Sequence, residues 1–248
     1  MGTMKRAGFT VIEVMLFLAV TGLLAASVLV GSGIAINQQR YRDSVSSLQS
    51  YIQQQYSQVS SVANSRDQNW TCDSSGNVSV APNPSAGQPR GTTDCVILGR
   101  FITIDATGTN LTASNVIGYE LPNTTAQASD IAEIANNYKL GISPINQDTQ
   151  VVSWGAQVVK PKTTSPMPLS ILIVRSPLSG SIVTFTQDGM QTNLGSMISA
   201  ALTNVQHDLC VNAVPGTFVG KRMEVRVIPY ATSQSAIQVP IETDSVCD

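Results

Sequence analysis

The sequence predicts an α+β fold in which a long N-terminal α-helical spine, half membrane-spanning and half amphipathic, packs on an antiparallel β-sheet head domain. Three observations predict it. The chain is apolar from Phe9 to Ile36, its apolar residues then recur at helical spacing as far as Ala63, and segments of alternating apolar residues follow. A long helix followed by many short strands is typical of helix-on-sheet α+β proteins.

The apolar run at residues 9–36 predicts a membrane-spanning helix. Its roughly 28 residues would be about 42 Å long as a helix, which exceeds the ~30 Å hydrocarbon core of a bilayer. Lys5 and Arg6 precede the run, so the positive-inside rule keeps the N-terminus in the cytoplasm and places the remainder outside. A secretory signal peptide has a shorter apolar region, which leaves a plain membrane anchor as the simplest alternative.

Glu13 is the single charged residue in this run. A carboxylate in a spanning helix costs about 2 to 3 kcal/mol at the membrane centre and less near the interface, so it is a candidate functional group that needs a partner. The alternative is a carboxylate that reaches the interface and has no further role.

The second half of the predicted helix, residues 37–64, is amphipathic. Apolar residues recur at intervals of three or four, which defines one helix face, and Gln49, Gln53 and other polar residues between them predict a solvent face. A soluble coiled coil is the competing interpretation, but it requires longer heptad repeats with charged flanks. The residues of the predicted packed face are Tyr41, Val45, Leu48, Ile52, Tyr56, Val59 and Ala63.

Residues 65–248 predict a β-rich globular head. Residues 65–95 are rich in Gly, Pro, Ser and Asn and predict a long loop. Short helices are expected at Asp130–Tyr138 and Leu194–Thr203. The predicted strands are Val96–Ile104, Val116–Leu121, Gln150–Lys160, Leu169–Arg175, Ser181–Gln187, Arg222–Tyr230 and Ser235–Val239.

Four cysteines, all beyond the apolar run, favour disulfides in an exported chain and lack the spacing of a zinc site. They allow three connectivities. We predict Cys72–Cys95 and Cys210–Cys247, since each pair closes a local loop.

Composition and motifs give no sign of catalysis. The chain is 42% hydrophobic but only 12% charged, and its net charge is −2, so nucleic-acid binding is not evident. The single histidine, His207, is expected at the surface, and the sequence has no Ser or Cys nucleophile motif that it could activate. Asp105–Asn110 predicts a turn and lacks the further acids of a calcium loop. We therefore expect no catalytic residue, metal or cofactor, and we expect Trp70 and Trp154 in the core.

The start of the chain resembles the prepilin-type leader and cleavage site of type IV pilins, type II secretion pseudopilins and competence pseudopilins. The resemblance covers about the first 30 residues: the basic pair Lys5 and Arg6, then Gly8, Phe9 and Glu13, and then the apolar run. It implies that residues 1–8 are a leader, that a prepilin peptidase cuts between Gly8 and Phe9, and that the new Phe9 amine is methylated. It also implies that Glu13 of one subunit meets the Phe9 amine of another, which would fix their register.

The resemblance implies a structural subunit of a pilus or pseudopilus, which is not an enzyme. Its partners would be other pilin or pseudopilin subunits, the prepilin peptidase, and the assembly platform and ATPase. The expected location is a single pass through the cytoplasmic (inner) membrane with the head outside, and later an extracellular pilus or periplasmic pseudopilus. The alternative is a minor tip pilin whose head binds a surface, a host cell or DNA, and Val30, where many major pilins carry a Pro, favours a minor subunit. A membrane-tethered enzyme is the third possibility.

Overall fold

The N-terminal helix is continuous. The computed structural model of the chain describes residues 10–61, 70–80, 95–199, 205–214, 220–228, 230–240 and 246–248. Helix α1 extends over Val11–Ser60, which makes it 50 residues and about 75 Å long. It joins the two predicted halves without a break. The predicted leader, Phe9 and residues 62–64 lie outside the described residues.

Twelve strands and two further helices are described beyond α1. In chain order they are β1 (Trp70–Cys72), β2 (Val78–Val80), β3 (Cys95–Ile104), β4 (Asn110–Glu120), α2 (Asp130–Asn137), β5 (Tyr138–Ile142), β6 (Asp148–Val151), β7 (Gln157–Val159), β8 (Leu169–Arg175), β9 (Ile182–Asp188), α3 (Leu194–Ser199), β10 (His207–Asn212), β11 (Glu224–Val227) and β12 (Ile237–Gln238). These elements form three antiparallel sheets, as the fold class predicted.

The largest sheet has six strands. Five follow the order β5-β4-β3-β8-β9. The sixth strand, β6, lies on the same side of β4 as β5 but pairs with the opposite end of β4. The register of β3 on β4 shifts between Ile97 and Gly99. A side chain at Gly99 would lie 2.0 Å from the Ile173 carbonyl oxygen, so glycine permits the close approach of β8 at this irregularity.

The smaller sheets complete the head. Four strands follow the order β12-β11-β10-β7, and β1 and β2 form a separate hairpin. That hairpin lies within the region predicted as a long loop, so the prediction for 65–95 is wrong at both described strands. Its two strands have only three residues each, which is too short for a clear alternating pattern.

The core has two layers, one on each face of the six-stranded sheet. Leu169 and Ile171 on β8 pack with the second half of α1, while Leu172 and Val174 face α2 and α3. The four-stranded sheet contributes to the first layer through residues such as Val211. The second half of α1 is therefore enclosed between two sheets.

The strand predicted at Gln150–Lys160 is two strands in different sheets. β6 belongs to the six-stranded sheet and β7 to the four-stranded sheet, and a short 3-10 helix at Ser153–Gly155 separates them. Trp154 lies there with φ of 59° and Gly155 with φ of 69°, conformations that end a strand. By contrast, β3, β8, β9 and α2 agree with their predictions to within one residue at each end.

Both predicted disulfides are present. Cys72 on β1 joins Cys95 at the start of β3, and Cys210 on β10 joins Cys247 near the C-terminus. The second bridge is buried together with Val159 of β7. The hairpin and the C-terminal segment are therefore each covalently tied to a sheet.

Candidate functional site

The first half of α1 exposes its apolar surface on all sides. From Val11 to Arg40 every residue is exposed except Thr21 and Asn37, which are half-buried. Ile12 is 77% exposed and Leu23 is 74% exposed. A helix that is apolar all round and exposed in water is a membrane span or an unpartnered interface.

The hydroxyl groups in this segment are already satisfied inside the helix. Thr21 Oγ1 donates to the Phe17 carbonyl at 2.8 Å, Ser27 Oγ to Leu24 at 2.8 Å and Ser32 Oγ to Leu29 at 3.0 Å. Together with the backbone hydrogen bonds of the helix, these bonds leave few polar groups that need a partner in the surroundings. Length and composition make α1 the one described helix that could cross a membrane.

Glu13 lies in the first turn of α1. Its backbone N–H donates to Thr10 Oγ1 at 3.3 Å, so Thr10 is the N-cap of the helix. The Thr10-x-x-Glu13 spacing matches a capping box, and an acid in the first turn also interacts favourably with the helix dipole. Glu13 thus stands where an acid favours the start of a helix, besides its predicted role between subunits. The other residues of the predicted processing site, Lys5, Arg6, Gly8 and Phe9, lie outside the described residues.

The second half of α1 is buried as its periodicity predicted, but over a wider face. The predicted face is buried from Tyr41 to Val59, and Ala63 lies outside the described residues. Ser44, Tyr51 and Gln55 are buried as well, because the helix has a sheet on two sides. The prediction of a solvent face is wrong at Gln49 and Gln53, whose Nε2 atoms both donate to the Ile237 carbonyl at 3.1 Å.

Three tyrosine hydroxyls connect α1 to the head, those of Tyr41, Tyr51 and Tyr56. The Tyr41 hydroxyl accepts from the Met223 N–H at 2.6 Å and donates to the Val211 carbonyl at 2.8 Å, at the end of the β10–β11 pair. The Tyr56 hydroxyl lies 2.9 Å from Thr184 Oγ1, and burial raises the pKa of Tyr56 to about 12. Tyr56 therefore stays protonated as a buried donor.

A charged side chain is buried in the same interface. Arg100 on β3 is only 5% exposed, and burial lowers its pKa. Its guanidinium donates to three neutral oxygens: Gln55 Oε1 at 2.8 Å, Asn115 Oδ1 at 2.8 Å and the Ala113 carbonyl at 3.4 Å. One hydrogen bond from each guanidinium nitrogen makes the buried cation tolerable, and the bond to Gln55 positions the helix on the sheet.

The helix emerges from the head at a region that we call the neck, formed by Asn37, Arg40, Tyr41 and Ser44 of α1 with Trp154, Ala156, Ala213 and Val214 of the head. These residues line a pocket of about 80 Å³, which is far smaller than a cofactor site. The Arg40 guanidinium carbon lies 4.9 Å from the centre of the Trp154 ring, within cation–π range. Trp154 is 58% exposed, so the prediction that it belongs to the core is wrong.

Three further groups with possible chemistry lie elsewhere in the described part of the head. Glu224 Oε2 lies 3.5 Å from Cys247 Sγ, but Cys247 is bonded to Cys210, so neither sulfur is a thiolate ligand. His207 is 6% exposed, and the prediction of a surface histidine is wrong. The Asp105 carboxylate closes the β3–β4 turn by accepting from Thr107, Thr109 and Asn110.

Sequence reasoning missed the neck because its residues are distant in the chain. The Trp154–Gly155 pair carried one local signal, a glycine within a predicted strand, which often marks an irregularity. Nothing local indicates that Arg40 would meet Trp154.

No protein-family model matches the chain, and neither a curated protein nor a solved structure shows significant similarity to it.

Proposed function

We propose that this chain is a structural subunit of the type IV pilin and pseudopilin kind, anchored in the cytoplasmic membrane by α1 and polymerised through the exposed half of that helix. The observation that carries the proposal is the division of α1 into an exposed apolar half and an enclosed half. No described head residue covers Val11–Ile36. The same surface can therefore pack against lipid first and against neighbouring helices later, while the head stays folded.

The filament follows from the geometry of such an interface. A long apolar helix that docks one step along the same helix of its neighbour makes a heterologous contact, which repeats without closing. The head then forms the surface of the filament. Its two disulfides suit a head that lies outside the cytoplasm, in the periplasm or in the medium.

Processing would precede assembly. The prepilin peptidase would cut between Gly8 and Phe9 and methylate the new amine, leaving Thr10 as the second residue and helix cap of the mature chain. The Phe9 amine is cationic at neutral pH. Pairing with Glu13 of a neighbouring subunit offsets the cost of burying both charges, and a wrong register leaves each charge unpaired.

Intact-mass and N-terminal peptide analysis tests the processing step. The protein is isolated from cells with and without the prepilin peptidase. We expect a mature chain that starts at N-methyl-Phe9 only when the peptidase is present. An unprocessed start, or a cut beyond Val30, would contradict the proposal and indicate a plain anchor or an ordinary signal peptide.

Two substitutions separate the roles of Glu13. Gln can form a capping box but carries no charge, whereas Ala can neither form the box nor carry a charge. If the charge fixes the register, Glu13→Gln and Glu13→Ala both reduce recovery of the subunit in sheared filaments, and Asp43→Asn on the same helix does not. Normal incorporation of Glu13→Gln would contradict the register role and leave only the cap.

Immunogold labelling with antibodies to the head distinguishes a shaft subunit from a tip subunit. We expect labels along the filament for a shaft subunit. Labelling confined to one end would instead favour the tip pilin, with the head as a surface-binding module.

A further inference from the structure

We propose that the neck is a lipid-binding surface: before assembly, Arg40 and Trp154 contact phospholipid headgroups in the leaflet that the head faces. The proposal rests on the membrane span that is part of the proposed function. It adds a second membrane contact, made by the head itself.

Helix geometry puts the neck at the right depth. Glu13 and Asn37 bound the apolar segment and are separated by about 36 Å along the helix axis, against a hydrocarbon core of about 30 Å. When Glu13 lies at one interface, Asn37 and Arg40 lie in the opposite headgroup layer. Trp154 stands beside Arg40 and therefore lies at the same level.

The residues of the neck have the chemistry of that layer. Tryptophan is enriched at membrane interfaces because its ring is apolar and its N–H is polar. Arginine offers a planar fork of donors that fits phosphate oxygens, and Arg40 has no salt bridge to a described residue. Val214 also lines the neck and is 41% exposed, which adds apolar surface near Trp154.

Trp154 combines a rare backbone conformation with an exposed ring. Trp154 has φ of 59°, an unfavourable conformation for a bulky residue, and it leaves the ring 58% exposed. A membrane interface, where acyl chains meet polar headgroups, suits such an exposed ring.

Fluorescence quenching in vesicles tests the proposal on the full chain. A Trp70→Phe background leaves Trp154 as the sole tryptophan, and the protein is reconstituted in phosphatidylcholine with or without phosphatidylglycerol. Nitroxides are attached to the lipid headgroup or deep in the acyl chain. We expect headgroup nitroxides to quench Trp154 strongly and deep nitroxides to quench it weakly.

Substitution of Arg40 tests the phosphate contact. One basic residue near an anionic surface contributes about 1 kcal/mol to membrane binding. In anionic vesicles, Arg40→Gln should therefore lower the ratio of heads that contact the membrane to heads that do not about fivefold. Arg42→Gln is the matched control, with the same charge change at nearly the same height on a different face of α1. Equal quenching in Arg40→Gln and in the parent chain would overturn the role of Arg40.

A reporter in the helix distinguishes failure of this proposal from failure of the proposed function. Leu24→Trp is placed in a chain that carries Trp70→Phe and Trp154→Phe. If deep nitroxides quench Trp at 24 but no nitroxide quenches Trp154, the helix spans the membrane and the lipid-binding neck is wrong. If Trp at 24 is not quenched either, the span and the proposed function fail together. If the Trp154 ring becomes buried only at high protein density, the proposal is overturned and a second copy of the chain covers the neck.

Discussion

Gln55 of helix α1 accepts a 2.8 Å hydrogen bond from Arg100 Nε of strand β3, and both side chains are buried. The pair joins the helix to the six-stranded sheet through a cation that has no ion pair with a described acid. One neutral amide of the helix thus binds the buried cation of the sheet.

Removal of that amide should be more harmful than removal of the whole pair. Gln55→Ala leaves a buried charged donor unpaired, and we expect a loss of about 3 kcal/mol in the free energy of unfolding. The double variant Gln55→Leu/Arg100→Met removes both polar groups and should be more stable than Gln55→Ala. Denaturant unfolding of the full chain in detergent compares them with the single variants Gln55→Leu and Arg100→Met. If the effects of these two single substitutions add up in the double variant, the two residues are not coupled.

The Tyr41 hydroxyl should contribute more than the Tyr51 hydroxyl. Tyr41→Phe leaves both the Met223 N–H and the Val211 carbonyl without their partner, for an expected loss of about 2 kcal/mol. Tyr51→Phe removes the longer 3.2 Å bond to the Asp148 carbonyl and should lose about 1 kcal/mol. Thermal and denaturant unfolding compare the two variants, and an equal loss would show that the end of the β10–β11 pair does not need Tyr41.

The two disulfides should differ in their effect on stability. Cys210–Cys247 closes a loop of 37 residues and Cys72–Cys95 one of 23 residues, so loop entropy gives about 4 and about 3 kcal/mol. Cys210 and Cys247 are also fully buried, so replacing both with Ala removes core packing besides the bridge. We expect the larger loss in unfolding free energy when Cys210 and Cys247 are replaced, measured by unfolding with and without reductant. A larger loss for the Cys72/Cys95 pair would indicate that the bridge to the β1–β2 hairpin stabilises the head more than the bridge to the C-terminal segment.

His207 should make stability depend on pH in the weakly acidic range. Burial lowers its pKa below 6.5, although Asp188, with Oδ1 3.6 Å from Nδ1, and Asp208 act in the opposite direction. Burial wins, so His207 is neutral at pH 7 and its contact with Asp188 is not an ion pair. The unfolded chain then binds the proton more readily, so stability is full above pH 6.5 and falls as the pH drops below that value.

Two variants test the histidine in opposite directions. His207→Gln should remove the dependence of the unfolding free energy on pH just below 6.5. Asp188→Asn removes an acid that favours the protonated form and should make the dependence steeper. Asp208 remains paired with Arg226 at 2.8 Å in both variants. Unfolding free energies across this pH range decide the matter, and a parent chain whose stability is flat there would contradict a buried neutral histidine.

Local patterns in the sequence determined the helix and the strongest strands. The apolar run and the spacing from Tyr41 to Val59 required one long helix, because periodicity is a property of neighbouring residues. The apolar run of β8, the alternating residues of β9 and the loop-closing cysteine pairs are local in the same sense. The resemblance at residues 5–14 suggested processing and assembly, which stay predictions.

Only the tertiary structure decided the contacts between distant residues. β5 contains Lys139 and Gly141, which are poor strand formers, and it is a strand because β4 pairs with it. The second sheet made Gln49 and Gln53 part of an interface, although their spacing placed them on a polar face. The turn at Trp154 divided one predicted strand between two sheets and brought the ring to Arg40. Such contacts depend on how whole elements pack, and a pattern that repeats every two or four residues contains no information about which distant surface it will meet.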